Sequence, residues 1–181
     1  MRRPYLLILS LFAACTVHAE LSLNPADWFT PEVPLALQRA SDANEATAND
    51  LLITSREKLE TGKLGSANRG LKKIIKNYPR TKAAGEALYL RGRVYMTKER
   101  WVKAFNYLQK ALIEHPDFEK FDSIIVNQFD CATALMEGAR GRILWVFPGF
   151  KQYGTASAEF EQIVRNAPYS DYAPLALMNI A

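Results

Sequence analysis

Polar and apolar positions alternate with a helical period along most of this chain. Val102, Phe105, Leu108 and Leu112 recur at i, i+3, i+6 and i+10, with Ala104 and Ala111 nearby. One face of that segment is therefore apolar, and its small residues let a neighbouring helix approach closely. Leu71, Ile74 and Ile75 make the same kind of face with Ala67, and Phe160, Ile163 and Val164 make it with Ala156. Another helix is predicted ahead of each of these, over about Glu45–Glu60, Lys82–Thr97 and Glu119–Ala139. The fold class is all-α.

The helices come in repeating pairs. Three segments align on a proline that stops a helix: Asn77-Tyr78-Pro79, Glu114-His115-Pro116 and Asn166-Ala167-Pro168, spaced 37 and 52 residues apart. Periods in this range mark helical solenoids. Thr81 and Ser170 stand just past two of the breaks, where an N-cap belongs. The units run over about 45–80, 82–117 and 119–169, with a partial unit over 170–181 that stops in mid-helix. Half a repeat leaves an apolar face uncapped, so a C-terminally truncated fragment is one reading of the chain.

The first nineteen residues read as a secretory signal. Arg2 and Arg3 form a positive start, Tyr5–Ala14 is an apolar run too short to span a bilayer, and Val17-His18-Ala19 offers a small-x-small cleavage site. A second reading overlaps it. Leu11-Phe12-Ala13-Ala14-Cys15 resembles a lipobox, with Phe12 where leucine is usual, which makes Cys15 a candidate for lipidation. Both readings put the protein outside the cytoplasm. Residues 20–44 form a lead-in broken by Pro25, Pro31 and Pro34. There Trp28 and Phe29 either tack the segment onto the first helices or are recognised by a partner. Cys131, in an apolar helical stretch, reads as a small buried hydrophobe.

The second unit resembles a tetratricopeptide repeat. Gly92 and Tyr95 occupy the small and aromatic positions of the first helix, and Ala104, Leu108, Ala111 and Pro116 those of the second. Leader, Pro/Trp lead-in, and units ending in Asn-Tyr-Pro-Arg-Thr and Asn-Ala-Pro-Tyr-Ser together resemble the BamD-like family of outer-membrane assembly lipoproteins. The resemblance covers about residues 45–181. It implies a right-handed superhelix of stacked helix-turn-helix repeats. It also implies a protein–protein scaffold, in the periplasm or on the periplasmic face of the outer membrane, that helps insert β-barrel proteins. A periplasmic adaptor for cell-wall or Tol-Pal functions is the alternative.

The wider spacing in the third unit places an insertion at 138–154, apolar for a loop, with Trp145, Phe147 and Phe150 around a Pro-Gly turn. These side chains either fold back into the groove or face a partner or lipid. They are the first candidates for partner binding, followed by Tyr89 and Arg93 on the second unit's first helix.

Charge and chemistry argue against an enzyme. The chain carries 23 basic and 19 acidic residues, and removal of the leader with Arg2 and Arg3 leaves 21 against 19. That balance does not favour nucleic acid or an anionic membrane as the main partner. His115 is the single histidine outside the leader, so no zinc set is in view, and at a helix C-terminus a protonatable ring suits the dipole. Gly62, Gly65 and Gly70 lack the Lys-Ser/Thr ending of a phosphate loop. Glu57, Glu60, Glu114, Asp117, Glu119 and Asp122 fall on polar helix faces. No catalytic group, metal, cofactor or small-molecule substrate is expected.

Overall fold

The computed structural model describes residues 35–137, 142–143, 147–148 and 153–180. The predicted leader with Cys15, the lead-in over residues 20–34, the insertion residues Trp145 and Phe150, and Ala181 lie outside that set. Of Phe147 only the backbone is described.

Seven helices form among the described residues: α1 (Leu35–Glu60), α2 (Leu64–Asn77), α3 (Lys82–Thr97), α4 (Trp101–Glu114), α5 (Phe121–Met136), α6 (Tyr153–Asn166) and α7 (Tyr172–Ile180). From Ala36 onward they belong to one compact unit. Each helix from α2 to α6 packs on the next, and the odd-numbered helices α3, α5 and α7 also touch in order. The arrangement is compatible with a helical repeat. Two departures from the sequence reading stand out. First, α1 starts at Leu35, so residues 35–44 are helical and not part of an irregular lead-in. After Pro34 that stretch is rich in helix-forming Ala, Leu, Gln and Arg. Its side chains from Leu37 to Asn44 are exposed, so it carries no buried face to set a hydrophobic period. Second, the insertion holds a two-residue antiparallel ribbon, β1 (Arg142–Ile143) against β2 (Phe147–Pro148), pairing Arg142 with Pro148 and Ile143 with Phe147.

Small residues set how closely the helices cross. Ala67, Ala104 and Ala111 are fully buried, as the pattern requires, beside Leu71, Ile74, Leu108, Phe160 and Ile163. At Gly92 the approach of α3 to α4 is tightest: a Cβ there would lie 2.8 Å from both Cγ and Cδ2 of the buried Leu108. Gly70 of α2 likewise meets the Ser55 hydroxyl of α1. Tyr95, one turn on from Gly92, stacks on Tyr107 with ring centroids 5.2 Å apart and planes 3° from parallel. Thr81 caps α3 as expected: its Oγ1 accepts from the Ala84 N–H at 3.2 Å while donating to the Tyr78 carbonyl at 2.7 Å. Ser170 repeats only the second bond, to the Ala167 carbonyl at 2.8 Å. Two apolar clusters result. One joins α1, α2 and the start of α3; the other runs from α3 to α7, and Ile75 and Leu90 pack against both.

The larger cluster contains a net of amides. Gln128 of α5, fully buried, donates to Gln109 Oε1 of α4 at 2.8 Å. Asn166 of α6 donates to the same oxygen at 2.6 Å and to Gln128 Oε1 at 3.1 Å, and accepts from Gln109 at 3.2 Å. Three helices are thereby tied through fully partnered groups, the condition under which buried polar side chains are tolerated.

The Gly92 contact makes a direct prediction. Overpacking costs roughly 1–3 kcal/mol, and alanine's better helix propensity returns roughly 1 kcal/mol. Gly92→Ala should therefore cost up to roughly 2 kcal/mol and lower the melting temperature by up to about 8 °C. In a double-mutant cycle Leu108→Ala should cost less in that background than in the wild type. A Gly92→Ala protein more stable than the parent by roughly 1 kcal/mol, the full propensity gain, would show that the crossing is not tight.

Candidate interaction surface

The α3 start is where the elements converge. Four N–H groups at a helix N-terminus lack internal partners. Here Glu45 of α1 reaches across and accepts from the backbone N–H groups of Lys82 and Ala83 at 3.0 and 3.3 Å, beside the Thr81 cap. A carboxylate at this end also suits the helix dipole. Helix α3 is almost wholly enclosed, with every residue from Ala83 to Tyr89 buried.

Glu86 lies in that buried run, 7% exposed, and its carboxylate is shared by two cations. Arg56 of α1 approaches Oε1 at 3.0 Å, and Lys120, just before α5, donates to Oε1 and Oε2 at 2.7 and 2.8 Å. One side chain thus ties α1, α3 and the α4–α5 turn together. Lys120 also lies over the Tyr89 ring at 5.5 Å, and that ring packs on Phe118 at 5.9 Å.

Beside this cluster opens a cleft of about 440 Å³. Asn49, Leu52 and Arg56 of α1 form one wall, the α3 start another, and the turn from Glu114 to Lys120 the third. Its lining is mixed: Leu52, Ala83, Pro116 and Phe118 are apolar, while Arg56, Lys82, Glu86 and Glu119 bring charges of both signs. Such a lining suits a peptide-like ligand with apolar and polar groups better than a purely ionic one.

His115 lies at the C-terminus of α4, as expected, and lines the cleft. Burial pushes its pKa down, against an upward pull from Glu114 and Glu45, so the neutral ring is favoured. A neutral ring adds little to the dipole interaction that a protonatable side chain at this position can make when charged. Its Nε2 has no hydrogen-bond partner among the described residues. Gly85 makes room for the ring, since a Cβ there would come within 3.0 Å of His115 Cγ.

Of the residues singled out in the sequence, Tyr89 is buried at 7% exposure, beneath Lys120 and within 3.4 Å of the Asn127 amide. Arg93 is exposed on α3, and neither residue lines the cleft. The side chains of Trp145, Phe147 and Phe150 lie outside the described set. Glu45, Glu86, Arg56 and Lys120 went unmarked in the sequence. The available signal was Glu86, an acid in the otherwise small and apolar run Ala83–Leu90.

Cys131 is fully buried, and its thiol is pushed well above its ordinary pKa by burial first and then by Glu159 and Asp130. A thiol held protonated is a poor nucleophile, in keeping with a packing role. Glu159 on α6 is itself 6% exposed, its Oε2 is unpartnered among the described residues, and burial pushes its pKa up to about 8. Among the described residues no group of His, Cys, Asp and Glu is placed to hold a metal ion, and no helix is long and apolar enough to cross a membrane.

No family model matches this chain, and no curated protein matches it.

Two outcomes follow. Glu86→Gln weakens both ion pairs, each with a half-exposed partner, and should cost about 1–2 kcal/mol in urea unfolding. Lys120→Met in the same background should then cost less than it does alone. For Glu159, the folded protein keeps a proton up to pH about 8 that a free glutamate releases near 4.5. The folded state binds more protons across that window, so stability falls as pH rises through it, by at most about 1.4 kcal/mol per pH unit. Glu159→Gln should flatten the pH dependence of the urea midpoint between pH 5 and 8; an unchanged slope would show that Glu159 ionises normally.

Proposed function

We propose that this chain is a protein–protein interaction scaffold of the bacterial envelope, resembling the BamD-type subunit that helps assemble and insert outer-membrane β-barrel proteins. In this reading the stacked hairpins are tetratricopeptide-type repeats that coil into a right-handed superhelix. The odd-numbered helices line its binding side. Export by the N-terminal leader delivers it to the periplasm, and acylation of Cys15 would hold it at the outer membrane.

The observation that carries the reading is the cleft between α1, the α3 start and the α4–α5 turn. It opens beside the first helices of successive hairpins. It also presents apolar and charged side chains together, as interfaces with proteins do. Its walls are fixed beforehand by Glu45 and Glu86, so a bound segment orders little of the scaffold. The insertion, with Trp145, Phe147 and Phe150, supplies a second contact region. The work proposed is binding, with no bond made or broken.

Photo-crosslinkers placed separately at Asn49 and at Phe147, in C-terminally tagged protein expressed in its native envelope, test this. Mass spectrometry should recover barrel-assembly proteins from at least one site. Recovery of peptidoglycan-linked or Tol-Pal proteins alone would replace barrel assembly with the cell-wall adaptor role.

A further inference from the structure

The whole-chain charge is nearly balanced, yet its distribution is not. From Lys63 to Lys82 there are seven basic residues and no acidic one, so the rest of the chain is net −3 against the overall +4. Five of the seven, Lys63, Arg69, Lys72, Lys73 and Lys76, lie on α2 or at its N-cap, and all five are exposed.

Helical geometry gathers them. Arg69, Lys72, Lys73 and Lys76 stand at i, i+3, i+4 and i+7 and so share one face. Ala67, Leu71 and Ile74, fully buried, hold the opposite one. The result is a cationic stripe about 10 Å long, directed away from the core. No ion pair neutralises it: the ion pairs among the described residues join Arg56 and Lys120 to Glu86, Lys110 to Glu114, and Arg165 to Glu161. The contrast with α4 and α6, which hold the same second place in their hairpins, is informative. Each sets a cation against a carboxylate four residues away. On α2 the same spacings bring like charges together, which disfavours the helix. Helix stability does not account for the stripe.

We propose that this face of α2 docks on an anionic lipid surface through phosphate headgroups. The chemistry of the stripe selects this partner. Three of its four charges are lysines, flexible point charges that follow a diffuse array of phosphates without demanding fork geometry. The helix carries no aromatic residue on which a base of single-stranded nucleic acid would stack. It exposes no large apolar side chain to anchor a protein interface. What remains is charge spread along a line, the footprint of adsorption to an anionic bilayer. The inference stands apart from the barrel-assembly reading and uses none of its residues.

Vesicle flotation of the full chain tests it. Binding should be strong to phosphatidylcholine vesicles containing roughly 30% phosphatidylglycerol, weak to pure phosphatidylcholine, and lost as salt rises from about 0.05 to about 0.5 M. The triple variant Lys72→Gln, Lys73→Gln, Lys76→Gln should lower partitioning on the order of a hundred-fold. Circular dichroism should show its helices unchanged. Neutralising two remote cations, Lys103→Gln and Arg165→Gln, should change partitioning little. Equal binding to neutral vesicles would mean that the apolar N-terminal run does the work. Undiminished binding by the triple variant would overturn the proposal. So would a single-stranded oligonucleotide that binds through these lysines while anionic vesicles do not.

Discussion

The architecture depends on how closely α3 is approached by its neighbours. It is enclosed by α1 and α2 on one side and by α4 and α5 on the other, and three of its contacts need a missing or short side chain. Gly92 lets Leu108 seat against the α3 backbone, Gly85 admits the His115 ring, and Ala83, Ala84 and Ala87 are buried where larger residues would hold the helices apart. Dense packing at these points leaves little freedom in how α3 sits against its neighbours. Its start, so held, forms one wall of the cleft beside Glu86.

Enclosure of a helix creates a polar problem that the sequence solves from outside the helix. Glu86 and Arg91 are both 7% exposed. Glu86 is matched by cations from two other elements. Arg91 has no carboxylate partner among the described residues; its Nε donates to Asn68 at 2.9 Å and its guanidinium lies 4.3 Å from the Tyr107 ring centroid. A weakly hydrated, planar cation is suited to such a seat in a way that an ammonium is not. The two charges use different chemistry for one purpose: Glu86 fastens α3 to α1 and to the turn before α5, and Arg91 fastens it to α2 and α4.

The regular part of this fold was legible because burial imposes a period. Leu71, Ile74, Leu108, Ala111, Phe160 and Ile163 are buried where the spacing puts them, and Thr81 caps α3. Legibility failed where no period existed. The side chains from Leu37 to Asn44 are exposed, so the prolines ahead of them dominated the reading. The short ribbon in the insertion is two residues a side, below the length at which alternation is visible. The cleft was missed for another reason. Its walls come from residues brought together across 37 and 34 positions, Glu45 with Lys82 and Glu86 with Lys120, and nothing in local pattern reports such pairs. Tyr89 was read as a binding residue on its type, yet an aromatic next to a buried helix crossing is as readily recruited to the core.

The amide net of Gln109, Gln128 and Asn166 has a consequence for how such an array can change over evolutionary time. Repeat proteins are often treated as strings of exchangeable modules, lengthened or shortened by copying a unit. Here α4, α5 and α6 each hold one part of a three-way lock, and a copied or transplanted α5–α6 hairpin would keep the Gln128–Asn166 bond but arrive without Gln109. Helices α5 and α6 therefore depend on their place directly after α4. Growth by duplication is confined to places outside the lock, and novelty within it must come from loops, as in the lengthened connection between α5 and α6.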